Sequence, residues 1–465
     1  MVKLLSRYPE HSGRKIRMIN YRRIVYAVIE SVGLGFRVKP VQEAIRRVVS
    51  RYRISDPIVD RRVSGIVYSI YRYQGLLDKI VSDIAGFNPS SLPYNVRAAL
   101  LVAAYVSQLD EKMSSSMKKT FKRYILRYLG EKIGDKAVRE KIIGKTKLLF
   151  SNKWSPNSGE DRVLLKYRVS PELYRALARA LRELGENLDD FLNSTMKIKY
   201  RVFRVNSLKA KPEAVYKFLK DSGYRVELGK YSRRAIRVYG SIGKEIIRFI
   251  ETGILVPQDE SSIVAVEILD PKPGSRIGDL CAAPGGKTTY LAEYTGLKSR
   301  IYSFEIYRDR ARRLRLMLER TGTDKSVQVF VRDAREAPSI LGNNSMDYVL
   351  LDPPCSSTGA LARNPDVRWR YSVEDAEKLV VLQRELLDSA WKILRKDGKL
   401  LYTVCSVLPW EGEHIIKDFL EKHWDAMLIS LNKPFKQSPI LPGTMRAWPH
   451  IHGTIGFYYA LLKKK

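Results

Sequence analysis

The stretch Arg276-Ile-Gly-Asp-Leu-Cys-Ala-Ala-Pro-Gly-Gly-Lys-Thr288 decides the fold. Its first five residues read as a short strand, 276–280, and a helix should open after its small residues, over 286–294. Small residues let a ligand approach the backbone, and a helix N-terminus offers free N–H groups. The same alternation continues outward. Strands are expected at 300–306, 327–332, 346–351 and 398–404, with helices at 308–321, 335–341 and 373–395 between them. This pattern predicts an α/β, Rossmann-like, doubly wound parallel sheet over 256–465. A last apolar run, 454–462, is long enough for one more strand.

All three cysteines fall in loops that follow such strands. Cys281 lies in the first loop, Cys355 in Asp352-Pro-Pro-Cys-Ser-Ser-Thr-Gly359, and Cys405 in Thr403-Val-Cys-Ser406. In an open α/β sheet the carboxyl ends of the strands are where ligands bind. The first loop is not G-x-G-x-x-G, and its glycines have the wrong spacing for a phosphate-binding P-loop. Glu305 ends the second strand, 19 residues after Gly286, where a carboxylate can take ribose hydroxyls. Asp333 ends the third strand and can accept from an adenine amino group. An adenosine-type cofactor without a diphosphate points to S-adenosylmethionine. The tandem prolines after Asp352 hold a rigid, extended loop. Its carboxyl can bond the ring nitrogen and amine of a cytosine. Two cysteines on neighbouring strands, facing one methyl donor, suit carbon 5 of a pyrimidine. A thiolate added at carbon 6 activates carbon 5, and a second group must then help remove its proton and release the enzyme.

The net charge of +33 on 465 residues is unevenly spread. Residues 1–150 carry +18, residues 151–255 carry +10 and residues 256–465 only +5. A nearly balanced catalytic module with basic attachments implies a polyanionic partner. The longest apolar run, 98–106, is far below the roughly 20 residues of a membrane span. Residues 1–9 lack an apolar leader region, so a cytoplasmic monomer that binds no membrane is expected. Three cysteines without C-x-x-C and five scattered histidines imply no disulfide framework and no metal site. Residues 1–150 read as all-helical. Val63, Ile66, Val67 and Ile70 form a core-facing stripe after Asp60 as N-cap, and further helices are expected near 92–106 and 118–129. A linker at 151–159 leads to a small α+β module over 160–255. That module should hold helices at 171–184 and 212–222 and strands at 199–205, 225–228 and 235–239. Its Tyr and Arg residues suit single-stranded RNA.

Taken together, the motifs at 279–288, 352–359 and 403–406 resemble those of the RNA (cytosine-5)-methyltransferase family, of the Sun type that carries a NusB-like domain. Arg204-Val-Asn-Ser-Leu-Lys209, Gln258-Asp-Glu-Ser-Ser262 and the Arg446-x-x-Pro-His-x-His452 pattern extend the likeness over about 200–465. The resemblance implies Cys405 as nucleophile, Cys355 as the group that assists release, and Asp352 between methyl donor and base. It implies that Cys281, Ala282, Ala283, Pro284, Gly285, Gly286, Lys287, Glu305, Arg310, Asp333 and Asp352 hold S-adenosylmethionine. The partner would be rRNA or tRNA. The stretches 61–72 and 97–105 resemble, more faintly, the NusB-like domain of the rRNA enzymes. Two departures from the family pattern are Ile455-Gly-Phe-Tyr458, where Asp-Gly-Phe-Phe is usual, and Gly278, where a larger aliphatic is common. The competing readings are a DNA cytosine methyltransferase with Cys355 as nucleophile and a non-catalytic RNA-binding or ribosome-assembly factor. The intact Cys405 disfavours both.

Overall fold

A computed structural model describes residues 20–38 and 41–465; the 1–9 stretch read for a leader lies outside them. The chain divides into two compact units, one ending at Leu165 and one beginning at Lys166. The described part of the first unit is helical, from Tyr21–Gly35 through Lys136–Ser151. Val63, Val67 and Ile70 are buried in its core with Val28, Leu77, Leu101 and Ile125. Their helix begins at Pro57, earlier than expected. Asp56, not Asp60, caps it, accepting from the Val59 N–H at 3.4 Å. Proline fits the first helical position because it has no N–H to leave unpaired.

The second unit opens with a four-stranded antiparallel sheet. Its strands are β1 (Arg201–Val205), β2 (Val226–Leu228), β3 (Ala235–Val238) and β4 (Leu255–Pro257), in the order β2-β3-β1-β4. The three residues of β4 are too few for alternation to reveal. Arg204 on β1 is fully buried. It forms an ion pair with Glu293 and donates to Gln258 Oε1 and Thr289 Oγ1, each at 2.8 Å. The Asn206 amide donates to Gly253 O at 3.0 Å and Thr321 O at 2.9 Å. The Arg204–Lys209 stretch therefore clamps this sheet onto the helix Gly286–Tyr294. Residues 166–255 share one compact unit with the larger sheet for that reason.

The larger sheet holds β5 (Arg276–Asp279), β6 (Arg300–Phe304), β7 (Val327–Phe330), β8 (Met346–Leu351), β9 (Leu394–Val404), β10 (Ala426–Ile429), β11 (Lys436–Gln437), β12 (Met445–Ala447) and β13 (Phe457–Lys464). Its order is β11-β12-β13-β9-β8-β5-β6-β7, with β10 also on β13. Strands β5 to β9 run parallel. The expectation of an all-parallel sheet is corrected beyond β9, where β10 to β13 are antiparallel. Antiparallel neighbours need no long crossover, so a short hairpin suffices to join β11 to β12. The chain order reverses between β5 and β8, which opens a crevice at their carboxyl ends.

Replacing Arg204 by Met leaves the Glu293 carboxylate buried without its cation. The variant should lose about 3–5 kcal/mol, the cost of breaking a buried pair from one side. Urea unfolding measures this; a change below about 1 kcal/mol would contradict the clamp.

Candidate active site

Five consecutive strand ends of the larger sheet deliver the predicted residues to one edge. Cys281 follows β5, Glu305 follows β6, Asp333 follows β7, Asp352 follows β8 and Cys405 follows β9. They surround a cavity of about 370 Å³, which Arg310 and Cys355 also line. That size suits a nucleoside-sized ligand. Leu280, Phe304, Leu382 and Leu386 give it apolar walls, and the exposed Ile306 and Tyr307 flank it.

The first loop divides its labour. Cys281 and Ala283 line the cavity. Ala282 is buried in a cluster with Leu314 and Leu318, and Pro284 is exposed. Gly285 holds φ +111°, and a Cβ there would meet Leu314 Cδ1 at 2.7 Å, so only glycine fits. Gly286 begins the helix and lies against Gln258. Lys287 reaches across to Asp352 Oδ2 at 2.5 Å. Arg310 does not point freely into the cavity. It donates to Ala283 O at 2.7 Å and lies 3.4 Å from Glu305. Glu305 is nearly buried and accepts the Tyr307 N–H at 3.0 Å. Asp333 is gripped by the Arg335 guanidinium, with a contact at 2.6 Å that holds its carboxyl below the usual range. An adenine amino group would share that carboxylate with Arg335.

At the far end the two thiols meet. Cys355 Sγ and Cys405 Sγ are 3.4 Å apart. Ser357 Oγ lies 3.6 Å from Cys405 Sγ. The hydrogen bond with Cys355 lowers the Cys405 pKa against the effect of burial, and Ser357 and the Lys287 charge pull the same way. The same bond, with burial, pushes Cys355 well up. Burial pulls the Lys287 ammonium down, but Asp352 outweighs it and the net shift is upward. The arrangement sets a thiol of lowered pKa, Cys405, beside one of raised pKa, Cys355, with the Lys287 cation among the groups that favour the Cys405 anion.

Sequence reasoning missed Glu411, a fully buried carboxylate bonded to the residue after each of these two cysteines. Trp410-Glu-Gly reads as a surface turn, and nothing in its pattern marks a buried charge. The Arg446-x-x-Pro-His-x-His452 residues are structural. Arg446 pairs with Glu413 in the core, and His452 Nδ1 accepts the Trp448 N–H at 2.8 Å.

The family described as 16S rRNA methyltransferase RsmB/F matches residues 266–463. Residues 266–463, which form the larger sheet and the site, are similar to this family. Ribosomal RNA small subunit methyltransferase B of Photorhabdus laumondii is 34% identical over 291 residues, covering 62% of this chain and 65% of the relative. The chain thus matches just under two thirds of that curated relative's length. Among solved structures, that of PH0851 is 35% identical with a TM-score of 0.87, covering 97% of this chain and 100% of that one. A methyltransferase homolog protein from Pyrococcus horikoshii is 28% identical with a TM-score of 0.55, covering 64% of this chain and 100% of that one.

Beneath the cavity, Asp279 accepts from the Thr288 hydroxyl at 2.6 Å. Burial pushes its carboxyl from 3.8 up to about 6. The folded state therefore holds a proton that the unfolded chain releases. This contribution is complete below the unfolded value and is lost as pH rises through the folded one. Asp279→Asn mimics the protonated form at every pH. Relative to wild type, the variant should gain about 2–3 kcal/mol on going from pH 4 to pH 7. Urea midpoints at the two pH values check this; a pH-independent difference would contradict it.

Proposed function

We propose that the protein transfers a methyl group from S-adenosylmethionine to carbon 5 of a cytosine in RNA. One observation carries this reading. A lowered-pKa thiol, Cys405, lies 3.4 Å from a second thiol at the end of the cofactor cleft. When bound, S-adenosylmethionine supplies the methyl group. Glu305 suits its ribose hydroxyls, Asp333 and the apolar wall its adenine, and the loop from Cys281 to Lys287 its remainder.

The Cys405 thiolate adds to carbon 6 of the base and makes carbon 5 an enamine carbon able to take a methyl cation. The hydrogen bond with Cys355 favours the anion at that sulfur before attack, and Ser357 and the Lys287 charge add to it. Asp352 reaches the base through its carboxylate, held in place by Lys287. After methylation a base must take the carbon-5 proton; the freed electron pair restores the double bond between carbons 5 and 6 and expels Cys405 as a thiolate. Cys355 assists that release. The relative's name makes small-subunit rRNA the first substrate to test, with tRNA next. The basic charge of residues 1–150 and of 151–255 supports their role in holding the RNA backbone.

The two thiols should fail differently. Cys405→Ala should form no product and no protein–RNA adduct. Cys355→Ala should lose turnover yet accumulate an adduct that survives a denaturing gel, because elimination becomes slow. A stable adduct in Cys405→Ala alone would exchange the roles and favour the DNA-type mechanism.

A further inference from the structure

Glu411 is fully buried, and among the described residues it forms no ion pair with Lys or Arg. Hydrogen bonds alone hold its carboxylate. Oε1 accepts the Ser356 N–H at 2.8 Å and the Gln383 amide at 3.1 Å. Oε2 accepts the Ser356 and Ser406 hydroxyls, each at 2.5 Å. Ser356 follows Cys355 and Ser406 follows Cys405, so one side chain grips both cysteine loops. Gln383 also donates to Pro354 O at 2.8 Å, just before Cys355. The Tyr402 hydroxyl fixes the Glu411 backbone carbonyl at 2.8 Å.

A neutral amide or a hydroxyl could tie the same loops together. A buried charge is costly unless fully hydrogen-bonded, so the carboxylate must do more than tie. Its four donors make charge-assisted bonds, the strong kind. The groups facing Cys355 are Cys405, Glu411 and Asp352, two of them acidic carboxyls. Those facing Cys405 are Cys355, Asp352, Ser357 and the Lys287 cation. The buried phenol of Tyr402 feels Glu411 and Cys355 and is pushed well up, so it stays neutral. The Lys287 cation thus bears on Cys405 and the Glu411 carboxylate on Cys355, while Asp352 bears on both.

We infer that Glu411 is a positioning residue that decides which of the two paired cysteines keeps the proton, clamping both loops while placing a negative charge beside Cys355. Glu411 then adds to the Cys405 hydrogen bond and to burial in disfavouring a thiolate at Cys355, as Ser357 and Lys287 add to the Cys355 hydrogen bond in favouring one at Cys405. This deepens the proposed reaction, since it fixes Cys405 as the nucleophile. Its test needs neither RNA nor cofactor, so its failure is separable from failure of the methylation reading.

The test follows iodoacetamide alkylation of each thiol in the full chain, by peptide mass spectrometry across a pH series. In wild type, Cys405 should react ahead of Cys355 at neutral pH. Glu411→Gln keeps the shape and removes the charge. It should lower the selectivity about tenfold, because a charge that disfavours the Cys355 thiolate is gone. Ser406→Ala strips one donor but leaves the charge and should retain the selectivity. An unchanged ratio in folded Glu411→Gln overturns the inference, as does equal reactivity of the two thiols in wild type. Should Glu411→Gln fail to fold, Ser406→Ala decides: a retained ratio supports the role of the charge, and a collapsed ratio with the carboxylate still present overturns it.

Discussion

The pairing of β8 with β9 is the constraint on which the site depends. The two strands run parallel, with Leu351 opposite Tyr402. They therefore end side by side, with Asp352-Pro-Pro-Cys355 on one and Cys405 on the other. Neighbouring strands lie about 4.8 Å apart, which sets the scale for bringing two side chains together. The loops close that distance to a sulfur contact of 3.4 Å. The next strand in order is β5, whose helix carries Lys287. The sequence β9-β8-β5 across the sheet thus becomes thiol, carboxylate and ammonium across its edge. A shift of one strand in the order would dissolve the site.

Electrostatics finish what topology begins. Two equivalent buried thiols would share one fate, both protonated and unreactive. Their surroundings differ instead. The hydrogen bond between them favours the anion at Cys405, where Ser357 and Lys287 add to it, and disfavours it at Cys355, where burial and nearby carboxylates add to it. The same apolar walls that enclose the cofactor cleft keep these interactions from being screened. The chemistry thus draws on the packing of Leu280, Phe304, Leu382 and Leu386 as much as on the charged groups.

Much of this was legible in the sequence because strand ends in a parallel sheet announce themselves. A buried run of β-branched residues, then small or kinked residues, then a helix start, located β5 to β9 and their loops. The short strands β4, β11 and β12 were not legible, since two or three residues carry no period. The antiparallel return of the last strands also went unseen, because pairing direction is a long-range property. Arg204 and Asn206 stood out as family markers, yet they are buried clamps rather than RNA contacts. Glu411 was missed for the opposite reason: a carboxylate in a Gly-flanked turn looks solvated until its four donors are seen. Asp333 was read correctly as a strand-end carboxylate, but its Arg335 partner was not foreseen.

The most direct measurement uses a small-subunit rRNA fragment carrying 5-fluorocytidine, incubated with the protein and S-adenosylmethionine. Fluorine cannot leave as the carbon-5 proton does, so the reaction should halt at the methylated covalent adduct. Mass spectrometry of the digested adduct should place the nucleotide on Cys405. An adduct on Cys355, or RNA methylated elsewhere without any adduct, would contradict the account.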